Sequence, residues 1–323
     1  MHLVRNHLRP DVCPHCEANT SSIPFEDVSA NAKWLGTIGA SKPWVEPHVF
    51  EMLPGGADPS FIKLDTFHLG PLGAGYYLAP SVLCVLVAYF KHFTPLDGKT
   101  DVESRLAVAH NSFMSYCKAT SRTPRDLKQF TKSNLHWPSQ ASYPMLSCKA
   151  GDTIMLLQWL QDYLTSVPLD LSDDLLRYSL EAISAFNAFW HLLYKAESRI
   201  WWSQSEAATG LIALTGFLRS YQAAAKESLA RRLSFFNIVP KVHFLAHVAV
   251  ELHQALERGS SILNPSVWST QMAEDYVGAL CKMSLNVHPA NVAKRNLEKY
   301  LVRARREWLK ESARNEKRLL RDS

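Results

Sequence analysis

Several chemistries are missing from this 323-residue sequence at the outset. Its amino end, MHLVRNHLRPDVCPHC, has basic residues but neither the apolar stretch nor the small-residue cleavage site of a secretory signal, so an intracellular, reducing setting is expected. Cysteine is sparse. Of the six, Cys84, Cys117, Cys148 and Cys281 stand far apart, the pattern of buried free thiols rather than of a disulfide framework. No G-x-S-x-G elbow occurs, which removes the serine-hydrolase motif of α/β-hydrolases. There is no repeat of fixed period and no low-complexity tract. Formal charge is absent from Thr66 to Phe90, and that run admits three readings: a membrane span, a buried helix, or a segment led by a functional acid at Asp65.

What is present narrows these. With 47% hydrophobic and 20% charged residues the chain falls in the ordinary globular range, long enough for two compact units. A span needs about twenty predominantly apolar residues. Here Gly70, Pro71, Gly73, Gly75 and Pro80 interrupt the first half, only VLCVLVAYF is continuously apolar, and the flanks carry just Lys63 and Lys91. A buried helix in a soluble core is the better expectation, with no membrane partner. FIKLD before it alternates and is β-branched at Ile62, which predicts a short strand ending at Asp65.

The remainder predicts a mostly α fold: a bundle-like helical body over 101–323 and a small irregular or mixed α+β amino-terminal part. That part divides into an irregular segment 1–58 with the CxxC, then a strand plus buried apolar helix over 59–100. Helix starts are expected at Asp152, at Ser172 with Asp173 and Asp174, near Ser205, at Pro240 and at Ser269, and Gly259 is placed to end a helix. The net charge of +5 is a property of the tail. From Lys294 to Ser323 there are eleven Lys/Arg and five Asp/Glu, a local +6, which leaves −1 for residues 1–293. Val292, Leu297, Tyr300, Leu301, Trp308 and Leu309 give that stretch an apolar stripe, so a docked terminal helix with a solvated basic face is expected. Its sharper reading is a phosphate-backbone contact through Arg303, Arg305, Arg306 and Lys310.

Three constellations carry chemistry. Cys13-x-x-Cys16 is half of a structural zinc site, which needs four donors; His2, His7 or a distant residue would complete it. His243 and His247, at i and i+4, share a helix face and are expected to be two hydrogen-bonded helix histidines. Asp65 and Glu274 would be the hard oxygen ligands of Mg²⁺ in phosphoryl transfer on nucleic acid; otherwise Asp65 is a helix N-cap and Glu274 a surface acid.

KLDTFHLGPLGAGYYLAP resembles the stretch around the second aspartate of RNase H-like, CACTA-type transposases, and VPKVHFLAHVAVELHQ followed by NPSVWSTQMAEDYVGALCKM resembles their terminal segment. The chain is also similar, through CPHC, PFED, KLDTFHLG, NLHWPS and MAEDYVG, to an uncharacterised family of dinoflagellate proteins. The transposase resemblance implies a truncated RNase H-like core with a helical insertion, in which Asp65 and Glu274 are two of three catalytic acids. No convincing strand with a first aspartate precedes them, so it implies a transposase-derived, catalytically silent protein that keeps nucleic-acid affinity, with a nuclear location. The alternative from the residues themselves is a helical scaffold or protein-interaction protein with a zinc-stapled amino end.

Overall fold

The computed structural model describes residues 5, 8–195 and 199–322, with side chains as far as 316. The expected mostly α architecture is what forms. Two compact units divide it, Met1–Ser269 and Thr270–Ser323, so the amino-terminal segments 1–58 and 59–100 belong to the same unit as most of the helical body.

In the first unit a helical run from Thr66 to Tyr89 sits in the centre. It comprises α1 (Thr66–Leu69) and α2 (Gly75–Cys84), with π-helical turns at Gly70–Ala74 and Val85–Tyr89. By length and composition this helix is apolar enough to cross a membrane, but most of it is buried among neighbouring helices. The glycines that weaken it as a span allow that burial: a Cβ on Gly70 would lie 1.6 Å from the Trp190 ring, and one on Gly75 2.9 Å from Thr153. The strand expected before Asp65 does not form. Pro59–Phe61 is a 3-10 turn capped by Asp58, and the extended residues after it have no partner strand among the described residues.

The helices around this core are α3 (Val102–Ala119), α4 (Ala150–Ser166), α5 (Asp174–Tyr194), α6 (Gln204–Ala230) and α7 (Pro240–Glu257). Local chemistry sets their ends. Asp173 caps α5, one residue after the expected Ser172, and Ser203 with Glu206 forms a reciprocal capping box on α6. Asp152 does not cap α4. It is buried in the first turn, where its carboxylate accepts the backbone N–H groups of Arg125 and Asp126 and ties down the preceding loop. Within α5 the Phe186 and Trp190 rings stack 4.2 Å apart, and Phe217 of α6 meets Phe186 edge-on. The only paired strands among the described residues are β1 (Trp201–Trp202) and β2 (Ile262–Leu263), antiparallel with Trp201 opposite Leu263.

Helix α7 is fixed by its sequence. Pro240 opens it, since its missing N–H would have been unpaired there anyway, and Gly259 at positive φ follows its end. Val242, Leu245, Val248, Ala249 and Leu252 bury almost its whole circumference, so His243 and His247 are drawn into the interior with it.

The second unit is a helical hairpin of α8 (Gln271–Ser284) and α9 (Val292–Asp322). Tyr276 meets Tyr300 edge-on at 6.0 Å, and the Lys299 ammonium donates to the Met283 carbonyl. Within the unit Leu297, Leu301 and Trp308 are exposed, not docked as the sequence led us to expect.

Candidate metal centre

Cys13 and Cys16 come from a chain segment without long helices. Pro14 turns the chain between them, and each sulfur faces a backbone N–H two residues on: His15 N–H to Cys13 Sγ at 3.4 Å, Ala18 N–H to Cys16 Sγ at 3.4 Å. N–H groups aimed at sulfur favour the thiolate over the thiol. Val12, Ala18, Phe25, Val28 and Trp34 bury this knuckle against the core that holds α7. Both cysteines are fully buried there, next to His243 and His247.

The four donor atoms form one compact group. Cys13 Sγ is 3.3 Å from His247 Nε2, Cys16 Sγ is 3.4 Å from His243 Nε2 and 3.3 Å from His247 Nε2, and the two imidazole nitrogens are 3.2 Å apart. All four lie within 4.8 Å of one another. A tetrahedron built on zinc–sulfur bonds of about 2.3 Å and zinc–nitrogen bonds of about 2.0–2.1 Å has edges of about 3.3–3.8 Å. The four closest spacings, 3.2–3.4 Å, lie at or just below the short end of that range and every pair is within 4.8 Å, so the donor set has the number, type and proximity to hold a metal ion. Four protein donors fill a tetrahedron and leave no position for water or substrate, which is the form of a structural site.

Electrostatics agree. Burial pushes the Cys13 thiol up, but hydrogen bonds from Cys16, His243 and His247 outweigh it and hold the group on the thiolate side. Cys16 moves the other way, chiefly because it donates to Cys13 and is buried itself. Without a cation only one of the pair sheds its proton; a bound cation takes both as thiolates and both imidazoles as neutral ligands. Burial lowers His243, and burial with the nearby His247 brings His15 from 6.5 down to about 4. Trp34 packs its indole edge-on to His243 at 4.6 Å and against His247 at 4.8 Å, and its Nε1–H donates to the Asp27 carbonyl, so both rings are held in place.

These shifts fix a pH dependence for the metal-free chain. A histidine whose folded pKa is depressed stabilises the fold fully above its unfolded value, and that stability is lost as pH falls toward the folded one. Metal-free protein is therefore expected to lose stability progressively from pH 6.5 down to about 4, the His15 window. Urea midpoints across that interval read this out; a flat profile would mean the two imidazoles are not held neutral.

The other site residues fall elsewhere. His2 and His7 lie outside the described residues. His243 and His247, expected as two hydrogen-bonded helix histidines, do lie within hydrogen-bond distance of each other, and they are also half of the cluster. No local motif marks this, because 226 residues separate Cys16 from His243; only the joint presence of CxxC and HxxxH could have suggested it. Asp65 takes the alternative role, as the N-cap of α1: its Oδ1 accepts the Phe67 N–H at 2.9 Å and its Oδ2 contacts His68 Nδ1. Glu274 is exposed in the first turn of α8, in the second unit. Neither acid belongs to the metal-ligating cluster. Cys84, Cys117 and Cys148 are buried free thiols as expected, whereas Cys281 is exposed. Arg303, Arg306 and Lys310 share one side of α9, while helical geometry turns Arg305 toward another. No family model, curated protein or solved structure matches the chain, so function has to be argued from its own geometry.

Proposed function

We propose that the chain is a helical scaffold whose amino-terminal segment is fastened to α7 by a structural zinc ion held by Cys13, Cys16, His243 and His247. The observation that carries this reading is the buried four-donor cluster drawn from the two ends of a 230-residue span, its donor atoms all within 4.8 Å of one another and with no open position. Two thiolates and two imidazoles suit zinc, and softer or harder cations less well. Bound zinc would supply a cross-link and no chemistry. The test is metal stoichiometry in the full chain. One zinc per chain is expected for the natural sequence and for His2→Gln and His7→Gln, and far less than one for Cys16→Ser and His247→Gln. Undiminished zinc in the last two would overturn the assignment.

A second reading concerns the hairpin unit and has its own support. Arg295, Lys299, Arg303, Arg306, Lys310 and Arg314 follow one another at steps of 4, 4, 3, 4 and 4 along α9, all exposed, in a line about 28 Å long with no acid on it. Only Arg295 and Lys310 pair with acids, Glu298 and Glu307, in exposed bridges of little strength. The apolar line on the opposite side is interrupted after Trp308 by Ser312 and Asn315, while the basic line runs unbroken to Arg314. Six exposed cations along one side of a helix fit a nucleic-acid phosphate backbone better than a lipid surface, which needs a continuous apolar face to enter. We therefore propose sequence-independent nucleic-acid binding by α9, compatible with a transposase-derived origin and requiring no catalysis.

A further inference from the structure

We infer that the groove lined by β2 and the carboxy-terminal half of α7 binds an extended peptide with an acidic side chain, added to the free edge of β2 as a third strand. The inference rests on the scaffold reading, to which it gives a partner, and not on the zinc ion, none of whose ligands lines the groove. The groove lies wholly within the first unit, and its volume of about 770 Å³ is in the usual range of ligand sites, about 300–1,000 Å³. Its backbone chemistry comes first. In the antiparallel pair Trp201 stands opposite Leu263, and the Asn264 N–H donates to the Ile200 carbonyl. That register makes Trp201–Leu263 a non-hydrogen-bonded pair, so the Leu263 N–H and C=O point away from β1, and with a period of two so do those of Ser261. No hydrogen bond reaches these groups from the described residues, and both residues line the groove. A strand edge with unpaired donors and acceptors is a template for a further extended chain. Residues 260–263, Ser-Ser-Ile-Leu, carry neither charge nor proline to prevent it.

Side chains set the rest of the ligand. Leu64, Val248, Leu252 and Ile262 give the groove an apolar lining that suits an aliphatic or aromatic side chain of the peptide. Charge accounting then selects the acid. Both carboxylates of the groove are already engaged: Glu251 pairs with Lys63 at 3.7 Å, and Asp58 caps the turn Pro59–Phe61. Lys63 also lies over the Trp268 ring, 5.3 Å from its centre. Arg258 differs, because its guanidinium donates to the Gln254 side chain and meets no carboxylate among the described residues. A guanidinium left without a carboxylate, in the same groove as an open strand edge, is matched by an acidic residue on the added strand.

The test selects a library of random linear heptapeptides on the full chain and synthesises the tightest binder. Its sequence is expected to contain Asp or Glu together with a bulky apolar residue. Arg258→Glu is expected to weaken its binding about tenfold or more, and replacing the acid of the peptide by Lys to restore binding to that variant. Methylation of alternate backbone amides of the peptide reads the strand itself: one set of positions should abolish binding and the other leave it, with no change to the protein that could unfold it. Enrichment of no peptide, affinity indifferent to Arg258→Glu, or equal tolerance of both methylated sets would overturn the inference. Zinc content of the same preparation is measured separately, so failure of the metal assignment and failure of the peptide site are told apart.

Discussion

Stripping the metal from the chain at neutral pH is expected to lower its thermal midpoint by roughly 8 °C and to make residues 8–60 susceptible to protease. Two estimates converge on the size. A ligand at a thousandfold excess over its Kd stabilises by about 4 kcal/mol, which for a chain of this length is about 2 °C per kcal/mol. A covalent cross-link closing a loop of about 230 residues would restrict the unfolded chain by about 5 kcal/mol, an upper guide to what a metal bridge between the same points contributes. The loss falls on the amino-terminal segment, because its regular structure is limited to short 3-10 turns such as Lys33–Thr37 and Val49–Met52. Among its buried side chains, Val12, Ala18, Phe25, Val28 and Trp34 belong to the core that includes the centre. Without the ion, one cysteine must carry a proton it would have lost. Cys13→Ser is expected to reproduce the chelated state and to be insensitive to added zinc. Differential scanning calorimetry with and without chelator measures the shift; equal midpoints would show that packing alone holds the segment.

Neutralising the basic line on α9 is expected to cost more. Six phosphate contacts give a slope of log affinity against log salt of about −5, and three give about −3. Arg303→Gln, Arg306→Gln and Lys310→Gln together should therefore weaken duplex binding by two to three orders of magnitude at about 0.1 M salt, and flatten the salt dependence. Arg305→Gln, off the line, is expected to change little. Leu297→Ala serves as the control on the apolar side. Titrations at several salt concentrations with unrelated duplexes check slope and sequence independence together. Binding that survives the triple substitution, or preference for anionic vesicles over duplex, would sink the nucleic-acid reading.

Much of the fold was legible because helix signals are local. Pro240, Gly259 and the Asp173–Asp174 pair mark helix ends by chemistry within one turn, and they hold in three dimensions to within a residue. The interrupted apolar run was likewise readable as a buried helix, its glycines being the places where Trp190 and Thr153 approach. FIKLD misled because a strand requires a partner, and pairing is a property of the whole chain; Pro59 turns the backbone just before it. The metal centre was half legible. Cys13-x-x-Cys16 declares two ligands through a turn, but its completion depends on α7 being buried on nearly all sides, which pulls His243 and His247 inward.

The most direct single measurement is X-ray absorption at the zinc edge on the purified full chain. One zinc per chain with two sulfurs at about 2.3 Å and two nitrogens at about 2.0–2.1 Å is expected. A chain that retains no zinc when offered it, or a shell of oxygen and nitrogen without sulfur, would contradict the staple and leave Cys13, Cys16, His243 and His247 as a buried hydrogen-bonded cluster.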